Sequence, residues 1–343
     1  MKRLMKHTAA AFAARLAILM SLPLSLALPA PDVQAQAQAQ AQASTWPSRP
    51  IRMLVPFVAG GSSDIVGRSV AVRMQEALGQ TVIVDNRPGA NGAIAGQMLA
   101  KASPDGYTLM VGSIGVFAIN VALFKDLPYD PLRDYDLLTV AVRNPNVLIT
   151  STRVAAASVK DLVGLLQKNP GKLTFVSSGT GSSDHLSAEL FWQRTKTTGI
   201  HVPYKGGAAA MADMVGGQVD ASFQNLGAAT GHIKAGRLRA LAVTGDRRSP
   251  QLPEVPTLLE LGFPGFEVYS WQAFAAPRGL AKDVRGRLEG AVVAALKLPQ
   301  VRQSMDDLGF EVVAGGGAEF EVFLKGEIAR WKQVVQTANI QPN

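Results

Sequence analysis

The sequence predicts an α/β protein made of two lobes, because strand and helix patterns alternate along the chain and the alternation starts twice. Short apolar runs such as IRMLVPF (51–57) are followed by stretches with apolar residues at helical spacing. Gly and Pro mark the joints between them. This alternation is typical of βαβ units, so the sheets are expected to be parallel and doubly wound.

The first series of elements begins after Trp46. It has predicted strands at 51–57, 81–86 and 107–113, and predicted helices at 62–79 and 91–102. Apolar residues at 66, 70 and 74 give the first of these helices one buried face.

The second series begins at NVLITS (146–151). Predicted strands follow at 172–178, 200–204, 219–225, 238–244 and 267–277, and predicted helices at 158–169, 184–195, 209–217, 281–308 and 317–337. The chain is expected to cross between the lobes near 140–145 and 262–272. Lobe 1 is therefore predicted as 44–142 plus 268–343, and lobe 2 as 143–267.

The first 43 residues form a separate segment. Four basic residues precede or flank an apolar run of 13, LAILMSLPLSLAL (16–28), and Ala-Gln repeats follow up to Ala43. The run is shorter than the roughly 20 apolar residues of a membrane-spanning helix. We interpret 1–43 as a secretory signal peptide with an Ala-Gln spacer, which predicts export to the periplasm. A mitochondrial-type presequence fits less well, because the run is uniformly apolar.

Composition excludes several classes of protein. Without residues 1–43 the chain keeps 30 Lys/Arg against 25 Asp/Glu, a net charge of +5. The remaining residues contain no Lys/Arg cluster of the kind that binds the phosphate backbone of a nucleic acid, so nucleic acid is not expected as a partner. The modest positive charge favours small anionic ligands. The absence of cysteine excludes disulfides, thiolate metal sites, a Cys nucleophile and a lipoprotein anchor.

The tetrapeptide Gly-Ser-Ser-Asp occurs twice, at 61–64 and 181–184, each time between a strand and a helix. Ligands of open α/β sheets bind at the carboxyl ends of strands, and helix starts offer unpaired N–H groups to anions. Glycine lets a ligand approach the backbone, and serine can cap the helix or donate to a carboxylate. One such turn alone is more often simply a well-capped helix. Two of them indicate a shared anion cleft.

Catalysis is the competing interpretation of the second turn. Ser182, Ser183, Asp184 and His185 are sequence neighbours, whereas a triad needs groups from separate elements. No G-x-S-x-G is present, and the string GTGSSD does not complete G-x-G-x-x-G. The histidines and carboxylates lack metal-ligand spacing. We therefore predict no catalytic residue, no metal and no cofactor.

Ten segments in order carry a family resemblance. They are WPSRPIRMLVPF, GGSSDIVGR, LGQTVIVDNRPGANG, SPDGYTL, LPYDPLRDY, SSGTGSSDHLSAELF, HVPYKGGAAAMADMVGGQVD, HIKAGRLRALAVT, LPEVPTLLELGFPGFEVYSW and EIARWKQVV. Through them the chain, from about residue 46 to 340, resembles the Bug-type extracytoplasmic solute receptors of tripartite tricarboxylate transporters. The resemblance implies a periplasmic-binding-protein-like Venus flytrap, whose two lobes close on a carboxylate.

The resemblance also implies two binding walls. The first is Phe57, Val58, Ala59, Gly60, Gly61, Ser62 and Ser63, with Asp64 shaping the turn; the second is Ser177, Ser178, Gly179, Thr180, Gly181, Ser182 and His185; the flanking residues are Ser113, Tyr204, Lys205, Asn225 and Trp271. For the two aromatic residues, core packing is an equal alternative, and Lys205 is more often a solvated loop residue. The first turn reads PFVAGGSS, where the resemblance leads us to expect more proline.

The predicted function is a monomeric receptor that binds a small organic carboxylate by lobe closure and presents it to membrane transporter subunits. A receptor that serves a sensor kinase instead of uptake has the same sequence features. A secreted serine hydrolase that uses a serine of one turn is the alternative from another class.

Overall fold

The computed structural model describes residues 46–342, so the predicted signal peptide and spacer lie outside the described residues. Three parallel strands open the fold: β1 (Ile51–Val55), β2 (Val82–Asn86) and β3 (Thr108–Ser113). β1 lies between the other two. β1 is almost entirely buried, as expected for a strand covered on both faces.

Two helices connect these strands. α1 (Ser62–Leu78) buries Val66, Val70 and Met74, which share one face because they are four residues apart, and it ends at the left-handed Gly79. A 3-10 turn (Ala90–Gly92) precedes α2 (Ala93–Ala100). A π-helical turn (Gly115–Ile119) then leads into the short helices α3 (Asn120–Leu123) and α4 (Pro131–Asp134).

β4 (Tyr135–Ser151) is the longest strand and belongs to both halves of the molecule. Its first part pairs antiparallel with β9 (Tyr269–Pro277), and Pro145 is the last residue of that pairing. From Asn146 onward it pairs with β7 and β8. The sequence predicted only 146–151 as a strand. The proline, which has no N–H to donate, lies where the strand changes partners.

The second half contains the parallel strands β5 (Thr174–Ser177), β6 (Ile200–Pro203) and β7 (Ala221–Asn225), with β8 (Leu238–Val243) antiparallel to β4. Its helices are α5 (Val159–Lys168), α6 (Ser183–Thr195), α7 (Gly207–Val215) and α8 (Leu226–Lys234). The sequence analysis did not predict α8, whose stretch LGAATGHIK lacks a clear apolar period.

The chain ends with α9 (Lys282–Lys297), α10 (Pro299–Asp307), β10 (Glu311–Val312) and α11 (Gly317–Thr337). The predicted helix at 281–308 is therefore two helices. Leu298 is extended because it precedes a proline, and Pro299 starts the next helix at its first position.

The strand order is β2-β1-β3-β9-β4-β7-β5-β6, with β8 and β10 also paired to β4. The expectation of parallel sheets is wrong for the centre of this order. β9 is antiparallel to β3 and β4, and β4 is antiparallel to β7 and β8. Alternating strands and helices reveal the elements but not the direction in which a returning strand such as β9 enters the sheet.

One buried cluster extends through both halves, from Phe117 and Tyr135 through Trp271 to Phe191 and Phe223. The predicted lobe boundaries remain a prediction. Among residues 46–342, no helix combines the length and apolarity that crossing a bilayer requires.

Candidate ligand-binding site

The first predicted turn joins β1 to α1. Gly60 is left-handed, with φ of 82°, and Gly61 is the extended N-cap of the helix. The Gly60 N–H donates to Asp64 Oδ2 at 2.9 Å. Asp64 also accepts from Arg68 Nε at 2.9 Å and from Asn86 Nδ2 at 2.9 Å. Its side chain is buried, so the carboxylate braces the turn from inside.

The electrostatics of this brace favour the charged carboxylate. Burial pushes the pKa of Asp64 upward, but the hydrogen bonds from Arg68, Gly60 and Asn86 outweigh it and hold the pKa below its usual value. The partner responds in the opposite direction, since its hydrogen bond to Asp64 raises the pKa of Arg68.

The second predicted turn joins β5 to α6. Gly179 and Gly181 have φ of 143° and 79°, and Ser182 is the N-cap, accepting from the His185 N–H at 3.3 Å. Ser182 Oγ also donates to Gly179 O at 2.6 Å. The Gly181 N–H donates to Nδ1 of His185 at 3.2 Å.

Asp184 closes the same turn from its other side. It accepts from the Ser178 N–H at 2.6 Å and from Ser178 Oγ at 2.7 Å, and Gln224 Nε2 reaches it at 3.3 Å. Both Asp residues of the repeated tetrapeptide are therefore buried and turned toward their own loops. Neither is placed to repel an anionic ligand at the turn surface.

Two imidazoles lie beneath the second turn. The rings of His185 and His201 stack with centroids 3.6 Å apart and 12° between their planes. His201 Nε2 lies 2.7 Å from Ser177 Oγ, and His185 Nε2 lies 3.5 Å from Glu189 Oε1. Burial, helped by His185, lowers the pKa of His201 to about 3, so this ring is neutral near pH 7.

The Ser177–His201 contact is a serine–histidine pair that the sequence analysis missed. The two residues are 24 positions apart and come together because β5 and β6 are neighbouring parallel strands. Ser177 is only 1% exposed, and its Oγ also contacts the backbone of Gly179. The pair therefore supports the turn from below and is not open to a substrate.

A third segment bonds to the second turn and lies close to the first wall. Asn91, in the 3-10 turn after β2, donates from Nδ2 to Gly181 O at 3.2 Å and to Asn120 Oδ1 at 3.0 Å. A Cβ atom on the adjacent Gly92 would lie 3.5 Å from Cζ of Phe57. Residues 90–92 thus lie next to both walls, which the sequence analysis did not foresee. The string GANG was a signal, since Asn and Gly favour the left-handed region that Asn91 adopts.

The remaining wall residues differ in exposure. Val58 is 65% exposed and Ala59 is exposed, whereas Phe57, Ser62, Ser178 and Thr180 are half-buried and Ser63 is buried.

The five flanking residues have different surroundings. Ser113 Oγ accepts from the Gly115 N–H at 3.2 Å, and Asn225 donates to Asn146 at 2.7 Å. Both are half-buried at the carboxyl ends of their strands.

Tyr204 donates its hydroxyl to Asp213, and this hydrogen bond raises the pKa of Tyr204. Lys205 is exposed. Trp271 is fully buried, stacks on Phe117 and donates its indole N–H to Glu327 at 2.8 Å. The structure therefore places Trp271 in the core, with its one polar group already bonded.

Among residues 46–342, no three His, Asp or Glu side chains are grouped in a way that could hold a metal ion. The two turns therefore present backbone N–H groups, hydroxyls and helix N-termini to a ligand. These groups bind anions.

The chain is similar to known proteins over most of its length. A Bordetella pertussis protein named BugT is 37% identical over 293 residues, covering 85% of this chain and 90% of that protein. A protein encoded in the tcbD-tcbE intergenic region of a Pseudomonas species is 36% identical over 299 residues, covering 87% and 89%.

Solved structures share the fold. The periplasmic binding protein BugD matches with a TM-score of 0.78 and 33% identity, covering 86% of this chain and 99% of BugD. An R. palustris protein solved with adipate matches with a TM-score of 0.80 and 36% identity, covering 87% and 100%. MatC from Rhodopseudomonas palustris, solved with bound malate, matches with a TM-score of 0.77 and 31% identity, covering 84% and 100%.

The model of the tripartite tricarboxylate transporter family receptor matches residues 66–340. Together with the fold and the two helix-start turns, this match shows that the chain belongs to the TctC family of periplasmic solute-binding receptors.

Proposed function

We propose that this chain captures a small organic carboxylate between the β1–α1 and β5–α6 turns and delivers it to a tripartite transporter in the membrane. The observation that carries the proposal is the pair of helix starts, each preceded by a left-handed glycine, with Asn91 bonded to the second turn and Gly92 close to Phe57 of the first wall. Helix starts of this kind attract anions through unpaired N–H groups and the helix dipole.

Neutral donors carry the binding. Among residues 46–342 the Ser62 hydroxyl makes no hydrogen bond, and it lies in the first turn of α1, where it can donate to a carboxylate oxygen. Arg68, the cation nearest this turn in sequence, is already paired with Asp64. A carboxylate held by N–H and O–H groups exchanges its water shell for fixed dipoles without needing a buried counter-ion.

Dicarboxylates are the first class to test, since two similar structures were solved with adipate and with malate. Lys205 is exposed beside the second turn and forms no ion pair among the described residues, so it can meet the distal carboxylate. A monocarboxylate would leave this contact unused.

The same proposal covers the other expectations from the sequence. The receptor is exported by residues 1–43, works as a monomer without turnover, and closes lobe 2 (143–267) onto lobe 1. Closure then creates the surface that transporter subunits, or a sensor kinase, recognise.

A thermal-shift screen tests the proposal directly. The mature chain is heated with adipate, malate, citrate, acidic amino acids and aromatic acids in turn. A ligand at about a hundred times its Kd stabilises the fold by roughly 2.7 kcal/mol, which gives a clear rise in Tm. The absence of a shift with every carboxylate would reject the proposal.

Matched serine variants locate the site. Ser62→Ala should weaken binding of the best acid about tenfold, as expected for one lost hydrogen bond to a charged group. Ser304→Ala, on the exposed face of α10, is the control and should bind like wild type. Hydrolysis of a test ester that Ser182→Ala abolishes would instead support the hydrolase alternative.

A further inference from the structure

The two copies of Gly-Ser-Ser-Asp do not occupy the same place in their helices. In the first turn Gly61 is the N-cap of α1, whereas in the second Ser182 is the N-cap of α6. Aligned by helix start, Gly60 corresponds to Gly181. Both glycines are left-handed, with φ of 82° and 79°.

This alignment pairs Asp64 with His185, each the third residue of its helix. Each accepts the N–H of the left-handed glycine four positions earlier, Gly60 to Asp64 Oδ2 at 2.9 Å and Gly181 to His185 Nδ1 at 3.2 Å. The two turns are therefore built on one hydrogen-bond plan with different acceptors.

The next helical turn repeats the correspondence with opposite charge. Arg68 lies four residues after Asp64 and pairs with it at 2.9 Å. Glu189 lies four residues after His185 and faces its Nε2 at 3.5 Å. In α1 the acceptor is the Asp64 carboxylate, which is paired with the cation Arg68. In α6 the acceptor is the His185 ring, which faces the Glu189 carboxylate.

We propose that His185 is a positioning residue of the ligand site, whose neutral Nε2–H tautomer holds the Gly181 N–H and so shapes the second binding turn. This rests on the proposed function, and it replaces the expectation that His185 contacts the ligand. Nδ1 must be unprotonated to accept from Gly181, which leaves the proton on Nε2, directed to Glu189.

The surroundings of the ring support the assignment. His185 is 3% exposed, so it does not present a nitrogen to the open side of the turn. His201 of β6 covers one face of the ring, and its own Nε2 lies 2.7 Å from Ser177 Oγ. Across the turn, the neutral Asn91 holds the Gly181 carbonyl. Gly181 is thereby fixed through both its N–H and its C=O.

The test compares two amides at this position. In His185→Asn, Oδ1 stands close to the place of Nδ1 and can accept from Gly181. In His185→Gln, the acceptor stands close to the place of Nε2 and the Gly181 N–H loses its partner. Kd for adipate and malate is measured by calorimetry at pH 7.5, with Tm of the unliganded chains recorded beside it.

We expect His185→Asn to bind within about threefold of wild type and His185→Gln to bind about tenfold more weakly, the scale of one lost positioning hydrogen bond. A purely structural role for the ring would lower Tm in both variants and leave their affinities alike. Equal Kd values for the two amides would overturn the inference.

A transplant of the first brace gives an independent check. The double variant His185→Asp with Glu189→Arg reproduces the Asp64–Arg68 pair in α6 and should bind within about threefold of wild type. His185→Asp alone places two carboxylates four residues apart and should lose at least tenfold. If the double variant binds no better than the single one, the assignment of His185 is wrong.

The outcomes separate the two proposals. A wild-type chain that binds none of the carboxylates in the thermal-shift screen overturns the positioning role together with the carboxylate function. A wild-type chain that binds, with His185→Gln unchanged in affinity, overturns only the positioning role.

Discussion

At Gly181 a side chain would meet two separate obstacles. Its φ of 79° disfavours every L residue, and a Cβ atom would lie 2.7 Å from Leu123 Cδ2 and 3.0 Å from Asn91 Nδ2. Since Asn91 and Leu123 belong to the first half of the chain, the conformation of one residue affects both sides of the candidate site.

Gly181→Ala should therefore lower the free energy of unfolding by about 2 kcal/mol or more and weaken ligand binding. Urea unfolding and calorimetry measure the two effects. Gly164→Ala is the matched control. It lies inside α5 with open space around its Cβ position, and it should gain about 0.5–1 kcal/mol. Equal stability of both variants would contradict the strain at Gly181.

His201 predicts how stability responds to acid. The pKa of the folded ring is about 3, below the ordinary value of 6.5 that a histidine keeps in the unfolded chain. Between these values the unfolded chain binds the extra proton, so stability falls as pH drops from 6.5 toward 3 and is unaffected by this ring above that window.

The slope from this group is at most about 1.4 kcal/mol per pH unit. Urea unfolding at several pH values from 7 to 4.5 measures it, and His201→Gln should show a shallower slope over the same window. A variant with an unchanged slope would mean that His201 takes up its proton without cost in the folded state.

At the level of single residues, the sequence predicted the turn glycines and helix caps of the site but not the side chains that hold the turns in place. Gly60, Gly181 and Ser182 were predictable because turn glycines and helix caps follow local rules. Asn91, Asn86 and His201 were not predictable, because they meet the turns only in the folded structure. Their partners in the turns are 22 to 90 positions away in sequence. Trp271 was a reasonable candidate by type, but its burial depends on how β9 inserts into the sheet.

At the level of elements, α6 depends on Asp184 to fix the loop before it. The carboxylate accepts two hydrogen bonds from Ser178, at 2.6 and 2.7 Å, while it is almost fully buried. Removing it leaves the N–H of the half-buried Ser178 without a protein partner, which costs about 1 kcal/mol or more.

Asp184→Ala should lower the free energy of unfolding by that amount and weaken ligand binding, because Ser178 and Gly179 lose their anchor. Asp161→Ala is the comparison, since Asp161 braces the exposed start of α5 in the same way but lies far from the turns in sequence. It should cost about 1 kcal/mol in stability with no change in Kd. An unchanged Kd for Asp184→Ala would mean that Asp184 stabilises the fold but does not support ligand binding.

The element types followed from the sequence wherever the period was strong, as in α1, β3 and α11. The failures have definite causes. The sequence analysis started β4 only at Asn146, because Pro145 reads as a break, although a proline is tolerated where a strand changes partners. The parallel expectation failed at β9, because strand direction is decided by topology and not by local pattern.

For the whole molecule, an ionic cluster lies where β4 passes from one set of strands to the other. Arg143 makes two hydrogen bonds to Glu311, at 2.9 and 3.0 Å, and lies over the ring of Tyr269. Arg247, from the loop after β8, also reaches Glu311 at 3.0 Å. Glu311 thus joins β4, β10 and the second half of the chain.

Glu311→Gln should lower the free energy of unfolding by about 1–2 kcal/mol, because it leaves the half-buried Arg143 without its bidentate partner. Glu321→Gln breaks an exposed pair with Lys325 and should cost less than about 0.5 kcal/mol. Denaturation in low and high salt measures both variants. Similar costs would mean that the cluster is no more than surface charge.

The shared strand β4 also has a consequence for the order in which the molecule can fold. Its first half is completed by β9, and the Leu280 N–H reaches Asp136 across 144 positions of chain. During synthesis or refolding, that edge of β4 stays open until the last third of the sequence is available. Pairing at such separation is slow and leaves exposed strand edges in the meantime. Chaperone demand and aggregation on refolding should therefore depend on residues 269–277 more than on any segment of the ligand site.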